Sequence, residues 1–336
     1  FISKLEAKGL RAFVGGSLAK ETVISRDVQD VDIFVVFEYS EDVYQLENVL
    51  GKLRLKDKLR KIHGSRDYFQ VDYGDVVLEI IPVVRTEDPA LAENVTDVSL
   101  SHVRYVKGEL EKNPGLADEI RLAKSFARAN RVYGAESYVR GFSGYSLEVL
   151  VIYFGSFLKF LKGIQKKVVI DPMKYYKNEA EIRRELNSSK IQGPLILVDP
   201  TFKDRNVAAG LSLGSYSLFV EVSKKFLKKP SLDFFERKEI DLDELRDFAK
   251  KKKASLIEVS LSSDRQEGNI AGTKMRKVFD FFARELTRKG QKVLRDEFDY
   301  SGCGQKAIGY LVVREVDEIK VRGPRLSMKD ACFAFK

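Results

Sequence analysis

The chain has 336 residues, of which 44% are hydrophobic and 32% charged, so it is long enough for two or three domains and has the composition of a globular protein. No apolar run reaches the ~20 residues that a membrane helix needs, so we expect no membrane partner. The first stretch, "FISKLEAKGL", does not resemble a signal peptide. We expect a cytoplasmic setting from the cysteine usage alone. The two cysteines, Cys303 and Cys332, lack the spacing of a metal or disulfide site, which fits a reducing compartment.

The net charge of +9 is unevenly distributed. Residues 1–110 hold 15 Lys and Arg against 19 Asp and Glu, residues 111–235 hold 21 against 13, and residues 236–336 hold 23 against 18. Basic surface attracts polyanions through the release of counterions. The pattern indicates an acidic first segment followed by two basic segments that suit a nucleic acid, although a generally lysine-rich proteome would give the same excess.

Residues 1–110 are predicted to form a mixed α/β domain. A short helix closes at Gly9, "RAFVGG" is a strand that leads into a glycine turn, and "VDIFVVF" is a second strand. The segment "EDVYQLENVLGKLRLKDKLRKI" is predicted to be a single helix. Two apolar runs on either side of Asp72–Asp75 predict a hairpin, "YFQVDYGDVVLEIIPVV".

Residues 111–235 are predicted to be mainly helical. "GLADEIRLAKSFARAN" places Arg121, Lys124 and Arg128 on one basic stripe, for which a solvated face is the preferred interpretation from the pattern alone. "GYSLEVLVIYFGSFLKFLKGI" is apolar nearly all round and predicts one central, buried helix. Residues 165–193 are predicted to be an irregular excursion, and "AAGLSLGSYSLFVEVSKKFLKK" another helix.

A boundary is predicted at Pro230–Leu232, and residues 236–336 follow as a separate module. After a first helix, its elements are predicted as strand Ser255–Leu261, helix Ala271–Lys289, strand Lys292–Phe298 and strand Gln305–Arg314. This βαββ order predicts a small ferredoxin-like fold. It lacks the aromatic motif with which RNA-recognition modules stack bases, so contacts to RNA backbone and shape are expected.

Paired carboxylates begin the second strand. Because side chains alternate along a strand, Asp30 and Asp32 project from the same face, ~7 Å apart, where they can share a hard divalent cation, of which Mg²⁺ fits best. A two-metal site usually needs a third carboxylate, and Glu79 in "VLEIIPVV" is the candidate, because a charge inside so apolar a strand needs a partner. Taken alone, two acids at the start of a strand are more often solvated.

A glycine turn precedes these acids. Gly15 and Gly16 lie between a strand and a helix, where the backbone can approach a phosphate closely and free N–H groups favour it. Ser17 adds a hydroxyl and Lys20, one turn on, adds a charge, in an order that differs from the P-loop pattern. Together with the three acids, the turn indicates a site for phosphate and metal.

"GGS", twelve residues, then "DVD" resembles the nucleotidyltransferase signature of the DNA polymerase beta superfamily. The stretches Arg131–Phe157 and Leu197–Val220 resemble the archaeal, class I, CCA-adding enzymes, and the likeness covers essentially the whole chain. It implies an α+β multidomain fold: a catalytic head with a mixed sheet over 1–110, a helical neck that recognises the nucleotide base over 111–235, and a ferredoxin-like body that binds tRNA over 236–336. Because the archaeal enzymes usually run longer, we expect the tail to be reduced or absent.

The resemblance also implies a reaction. C, C and A are added without a template to the 3′ end of tRNA, from CTP and ATP, by two-metal nucleotidyl transfer with Mg²⁺. The implied partners are the 3′ end and acceptor stem of tRNA and the two nucleotides, with a homodimer left open. The alternatives are a poly(A) polymerase or another template-free RNA nucleotidyltransferase, and a catalytically idle tRNA-binding protein. The large basic remainder disfavours a small-molecule nucleotidyltransferase.

The resemblance assigns roles to eleven residues. The catalytic metal ligands are Asp30, Asp32 and Glu79, the last of which stands where Asp is usual. Around the triphosphate it places Gly16 and Ser17 together with Lys20, which replaces the usual Arg and loses its bidentate fork.

The remaining nucleotide contacts lie further along the chain. Ser99 and His102 match a Thr and a His that contact ribose and phosphate, Lys124 and Tyr133 match triphosphate contacts, and Arg205 matches the arginine that reads the incoming base. Without the resemblance, His102 would be interpreted as a hydrogen-bonded surface residue and Tyr133 as core packing. Arg66 stands where His is usual in the head, and Asn206 is interpreted as a helix cap.

Overall fold

The computed structural model describes residues 1–25, 29–53, 55, 59–64, 66–86, 89–94, 96–166, 168–237, 239–316, 323 and 327–335. The chain forms two compact units, one made of Phe1–Ala135 and Val139–Arg237, the other of Glu136–Tyr138 and Lys238–Lys336. The further division of the first unit at residue 110 stays a prediction.

A five-stranded mixed sheet forms the first part of the first unit. Its strand order is β1-β2-β5-β4-β3, in which β2 and β5 are parallel and the other pairs antiparallel. The alternating faces of β2 and β5 bury Ile33, Val35 and Ile80. The elements of this part are α1 (Ile2–Glu6), β1 (Arg11–Val14), α2 (Gly16–Ala19), β2 (Gln29–Phe37), α3 (Gln45–Lys52), β3 (Leu59–Ile62), β4 (Tyr68–Asp72), β5 (Val76–Val84) and α4 (Ser99–Lys112).

The long helix predicted from Glu41 to Ile62 is wrong in its second half. Helix α3 ends at Lys52, and Leu59–Ile62 form the edge strand β3 against β4. The open edge of the sheet supplies backbone partners that the helical pattern of the sequence does not reveal. Arg60 and Lys61 are exposed there, and charged side chains are common on edge strands because they discourage further pairing.

Helices dominate the rest of the first unit. Phe126 lies at its centre, and five other phenylalanine rings pack around it with centroids 5.4–6.3 Å away. A three-stranded sheet of order β6-β7-β8 lies beside this core. The elements are α5 (Leu116–Ala129), α6 (Gly144–Phe154), α7 (Phe157–Gly163), β6 (Val169–Ile170), α8 (Glu179–Glu185), β7 (Ile196–Asp199), β8 (Phe202–Asn206) and α9 (Leu213–Lys228).

The single buried helix predicted after Gly144 is two helices, α6 and α7, which meet at 94°. Gly155 ends α6 in the left-handed conformation (φ +82°), which glycine adopts without strain, and Ser156 caps α7 by accepting from the Lys159 N–H. Within the described residues, no helix taken alone has the length and hydropathy to cross a membrane, and only this bent pair passes such a test together.

Two smaller expectations for this region also change. The excursion predicted at residues 165–193 contains β6 and α8. Asn206 does not cap a helix: its side chain accepts from the Leu197 N–H of β7 and donates to the Lys190 carbonyl, so it ties the end of β8 to β7 and to the segment before β7.

The second unit has the predicted βαββ order. Its sheet runs β10-β11-β9 with β11 antiparallel to both neighbours, so β9 and β10 are parallel with one strand between them, as in a split βαβ unit. Helices cover both faces, since Leu311 packs with Phe279 of α11 and the adjacent Val312 packs with Leu245 of α10. The α+β fold with a ferredoxin-like body is therefore confirmed. The elements are α10 (Leu242–Lys251), β9 (Ser255–Ser262), α11 (Gly268–Arg288), β10 (Gln291–Asp299), β11 (Lys306–Glu315) and α12 (Lys329–Ala334).

Candidate active site

A cavity of about 150 Å³ opens in the first unit. It brings together six of the eleven predicted site residues, which come from the sheet (Asp30, Asp32, Glu79), the glycine turn (Ser17) and the helical part (Lys124, Tyr133). Residues for which the sequence predicted no role complete the lining, namely Thr22, Val23, Ile24 and Gln29.

The three carboxylates come from two neighbouring parallel strands. Asp32 and Glu79 are direct partners in the β2–β5 pairing, and Asp30 lies two residues before Asp32 on the same face. Gln70 on β4 donates from Nε2 to Glu79 Oε1 at 2.7 Å and so orients the longer glutamate arm. Burial, and then the charges of all three carboxylates, raise the pKa of Tyr68 to about 12. The three carboxylates are therefore close enough together to act on the same tyrosine hydroxyl.

This donor set fits a hard divalent cation, because all three groups are oxygen ligands. Within the described parts of the chain, no group of three or more His, Cys, Asp and Glu side chains has the geometry to hold a metal ion. Mg²⁺ commonly takes one or two carboxylates and fills its remaining positions with water or phosphate oxygens.

The glycine turn lies against these acids. Gly16 adopts φ +57°, and a β-carbon built there would overlap with Asp32 Oδ2. The Gly15 N–H donates to the Asp32 carbonyl at 2.8 Å, which fixes the turn to β2. Ser17 follows at once and lines the cavity.

A buried ionic cluster borders the cavity through Lys124 and Thr22. Glu148 on α6 is fully buried and pairs with two lysines, Lys124 (Nζ–Oε1 2.7 Å, 1% exposed) and Lys20 (Nζ–Oε2 2.6 Å, 7% exposed). The Thr22 hydroxyl donates to Glu148 Oε1 at 2.6 Å, and Lys124 Nζ donates to the Thr22 carbonyl at 3.0 Å. Burial alone would raise the pKa of Glu148, but the two ammonium groups outweigh it and lower the pKa to about 2.

The interpretation of the basic stripe on α5 as a solvated face is therefore wrong for Lys124. The other two residues of the stripe, Arg121 and Arg128, are partly exposed and form hydrogen bonds to backbone carbonyls. Arg121 donates to the Glu21 carbonyl, and Arg128 donates to the Ser25 carbonyl at 2.6 Å. Sequence reasoning missed Glu148, although the signal was present. A lone acid in "GYSLEVLVIYF" needs a partner for the same reason that Glu79 does.

A second buried cluster surrounds Asp199, whose side chain is fully buried at the end of β7. Asp199 Oδ2 lies 3.0 Å from His102 Nε2 and accepts from Arg205 Nη1 at 2.8 Å, while Oδ1 accepts from the Tyr145 hydroxyl at 3.0 Å. The Tyr145 ring stacks on His102 with centroids 3.8 Å apart. His102 is thus buried, and its interpretation as a surface residue is wrong.

Electrostatics keep the Asp199 cluster in one protonation state. Burial lowers the pKa of His102 more than Asp199 raises it, so the imidazole is neutral at neutral pH. Burial would raise the pKa of Asp199, but the hydrogen bonds from His102 and from the Thr201 N–H, with the charge of Arg205, lower it well below its usual range. Ser99 begins α4, the helix that carries His102.

Five predicted residues lie outside the cavity lining in the described structure: Gly16, Lys20, Ser99, His102 and Arg205. Lys20 nevertheless joins the two clusters, because its ammonium pairs with Glu148 and lies 5.7 Å from the centroid of the Tyr145 ring. Arg66 has a supporting position instead, since it pairs with Asp97 and donates to the Pro82 carbonyl of β5. Tyr133 both lines the cavity and packs against the core, as its two interpretations each require.

Comparison with known proteins gives matches over most of the chain. The family model described as tRNA nucleotidyltransferase, second domain, matches residues 118–236. A CCA-adding enzyme of Nanoarchaeum equitans is 34% identical over 298 residues, which cover 86% of this chain and 70% of that protein. One of Pyrococcus abyssi is 32% identical over 325 residues, covering 91% and 68%.

Solved structures show the same fold at low identity. The RNA terminal uridylyl transferase Cid1 matches with a TM-score of 0.56 at 12% identity, over 72% of this chain and 90% of that one. A cytoplasmic RNA terminal U-transferase matches with a TM-score of 0.54 at 11% identity, over 71% and 90%. This likeness places the chain among proteins with a nucleotidyltransferase fold.

Proposed function

The chain belongs to the CCA-adding enzymes, and we propose that it adds C, C and A to the 3′ end of tRNA from CTP and ATP without a template. One observation carries the proposal. Three carboxylates from β2 and β5 share a single cavity with a lysine and a tyrosine from the helical part of the same unit. A metal-dependent transfer from a nucleoside triphosphate needs carboxylates to bind the metal and cationic or hydroxyl donors to bind the phosphates.

We propose Mg²⁺ as the divalent metal of the reaction, with Asp30, Asp32 and Glu79 as its protein ligands. When bound, the ion would offset the charge of the triphosphate and make the tRNA 3′-hydroxyl a better nucleophile. The contribution of the chain is to hold these carboxylates at a fixed register: Asp32 opposes Glu79 through the sheet, and Gln70 steadies Glu79.

The nucleotide is proposed to enter with its triphosphate toward the cavity. At about 150 Å³, the cavity is smaller than the roughly 300 Å³ at which pockets for small molecules begin, so it suits the phosphate end of a nucleotide. Ser17, Lys124 and Tyr133 are the proposed triphosphate contacts, supported by Gly16 and Lys20. Ser99 and His102 are the proposed contacts to ribose and phosphate.

Base choice is assigned to Arg205. Its side chain remains 31% exposed while Nη1 pairs with buried Asp199, so it combines a fixed anchor with further N–H donors. The proposed RNA partner is the 3′ end and acceptor stem of tRNA, which the two basic segments attract. We propose a cytoplasmic location, because the proposed reaction uses tRNA and nucleoside triphosphates.

Extension assays test the proposal. The protein is incubated with Mg²⁺ and each of the four nucleotides on tRNA lacking C-C-A, on tRNA ending in C, on tRNA ending in C-C, and on an unrelated RNA. CTP is expected to extend the first two and ATP the third. Extension of every RNA by ATP would instead show a poly(A) polymerase, and tRNA binding without any incorporation would show a catalytically idle protein.

A further inference from the structure

Glu148 lies in the middle of α6, a helix whose other residues are almost all apolar, and its side chain is fully buried. Its two oxygens accept from three side chains that come from two distant parts of the chain. Oε1 accepts from Lys124 Nζ and from the Thr22 hydroxyl, and Oε2 accepts from Lys20 Nζ, at 2.6–2.7 Å in each case.

Stability alone does not explain such a cluster. Removing two cations and a carboxylate from water is costly, and apolar residues of the same volume often replace a buried ion pair without loss of stability. The cluster also lacks charge balance, because two ammonium groups share one carboxylate. Its excess positive charge lies beside the cavity, since Lys124 and Thr22 are both lining residues.

The hydrogen bonds to Glu148 fix the positions of the two ammonium groups that carry this positive charge. Lys124 reaches the cluster from α5, whereas Lys20 caps α2 one turn after Ser17. A lysine side chain is flexible and would otherwise sample many positions. Glu148 accepts hydrogen bonds from both ammonium groups and so restricts their positions, and Lys124 also donates to the Thr22 carbonyl.

We propose that Glu148 is a positioning residue for nucleotide binding: it fixes the Lys124 and Lys20 ammonium groups beside the cavity, where the anionic oxygens of a nucleoside triphosphate enter. This inference rests on the proposed function. It concerns binding of the triphosphate, so it is measured separately from incorporation into tRNA.

Two hypotheses predict opposite results for Glu148→Gln: one in which only the net charge of the site matters, and one in which Glu148 positions the lysines. The variant removes a negative charge from the site, so simple attraction would make CTP bind more tightly. If Glu148 acts by fixing the lysines, CTP binds more weakly despite the gain in positive charge, because the ammonium groups lose their common acceptor.

The experiment measures the dissociation constant of CTP by equilibrium dialysis with the full chain, and KM and kcat for C addition. Glu148→Gln is expected to raise both the dissociation constant and KM by about tenfold, with a smaller change in kcat and unchanged affinity for tRNA. Glu148→Asp, which keeps the charge on a shorter arm, should recover part of the loss. Unchanged or tighter CTP binding by Glu148→Gln would overturn the proposal.

Glu119→Gln is the matched control, because that carboxylate also accepts a hydrogen bond within the helical part, from the Phe157 N–H at 2.7 Å. It should bind CTP like the wild type. If Glu148→Gln does not fold, the pair Lys20→Met and Lys20→Met/Glu148→Gln replaces it, since only one cation then remains to be buried. The double variant should bind CTP more weakly than Lys20→Met, and equal binding would overturn the proposal.

The two proposals fail in different ways. A wild-type protein that binds CTP in a manner dependent on Glu148, but incorporates neither C nor A into tRNA, would overturn the proposed function and support the positioning role. A wild-type protein that completes C-C-A while Glu148→Gln retains its CTP affinity would do the reverse.

Discussion

Gly16 and Asp32 lie so close together that no side chain can be accommodated at Gly16. A β-carbon there would overlap with Asp32 Oδ2, and the backbone at Gly16 has φ +57°, where residues other than glycine are strained. The start of α2 and strand β2 are therefore in close contact, and neither can shift without the other. The glycine is required by the position of the carboxylate as well as by the turn.

Gly16→Ala is therefore expected to displace the Asp32 carboxylate and to lower nucleotide incorporation by about 100-fold, because misplacement by about 1 Å can cost that much. Gly74→Ala is the control, since Gly74 also has a positive φ (+81°) but no atoms within 4 Å of the added carbon. Gly74→Ala should lose about 1 kcal/mol of unfolding free energy through backbone strain, and Gly16→Ala should lose more because its β-carbon also overlaps with Asp32. Similar activities of the two variants would show that the close contact between Gly16 and Asp32 is not needed for incorporation.

Asp32→Asn should abolish incorporation of labelled CTP while leaving tRNA binding intact. The change removes a negative charge but keeps the shape, so loss of metal-dependent transition-state stabilisation is expected to cost roughly 10³-fold in rate. Asp75→Asn, at an exposed acid in the turn before β5, should incorporate like the wild type. Near-normal activity of Asp32→Asn across a range of Mg²⁺ concentrations would remove Asp32 from the metal site.

Much of this arrangement followed from local patterns. The two-residue period of a strand was enough to place Asp30 and Asp32 on one face and to separate Glu79 from the buried Ile80. The direct pairing of Asp32 with Glu79 could not be predicted in the same way. It depends on a parallel register between strands that are separated in the chain by α3, β3 and β4.

The burial of Lys124 also could not be predicted from a local pattern. A helical pattern indicates which residues share a face, but not what that face meets. Whether Lys124 is solvated or buried is decided by Glu148, 24 residues further on, and by the loop at Thr22. The break between α6 and α7 was different, because Gly155 and Ser156 are ordinary signals for a helix end and a helix start. There the apolar composition of the segment masked a local signal.

Arg205→Ala is expected to reduce the preference for CTP and ATP over UTP and GTP by about 10- to 100-fold, because one set of base-directed donors is lost. The metal site should survive, so slow incorporation of all four nucleotides is the expected result on tRNA substrates. Lys203→Ala is the control, since Lys203 is an exposed cation two residues earlier on the same strand. Unchanged selectivity of Arg205→Ala would show that another group reads the base.

Binding of tRNA should weaken steeply with salt. If the two basic segments grip the phosphate backbone, the dissociation constant for tRNA is expected to rise at least about tenfold between roughly 50 and 200 mM salt. The slope of the logarithmic plot counts the phosphates that are neutralised, and filter binding measures it. Binding of CTP provides the internal comparison and should change much less, while a flat response for tRNA would show that its grip is not electrostatic.

The Glu148 cluster also predicts an acid-dependent loss of stability. The pKa of Glu148 is about 2 in the folded protein, below its ordinary value of 4.5. Its stabilisation is therefore complete above about pH 4.5 and is lost as the pH falls toward 2, because the unfolded chain then takes up the proton first. A shift of this size corresponds to roughly 3 kcal/mol.

Urea unfolding followed by circular dichroism between about pH 2 and pH 7 measures this loss. Asp199 contributes in the same direction, since its pKa is also lowered, so the wild-type curve alone does not isolate Glu148. The difference between wild type and Glu148→Gln does, because the amide cannot titrate. The unfolding free energy of the wild type should fall by roughly 3 kcal/mol more than that of the variant over this range. If the unfolding free energies of wild type and Glu148→Gln change in parallel with pH, the two lysines do not lower the pKa of Glu148 in the folded state.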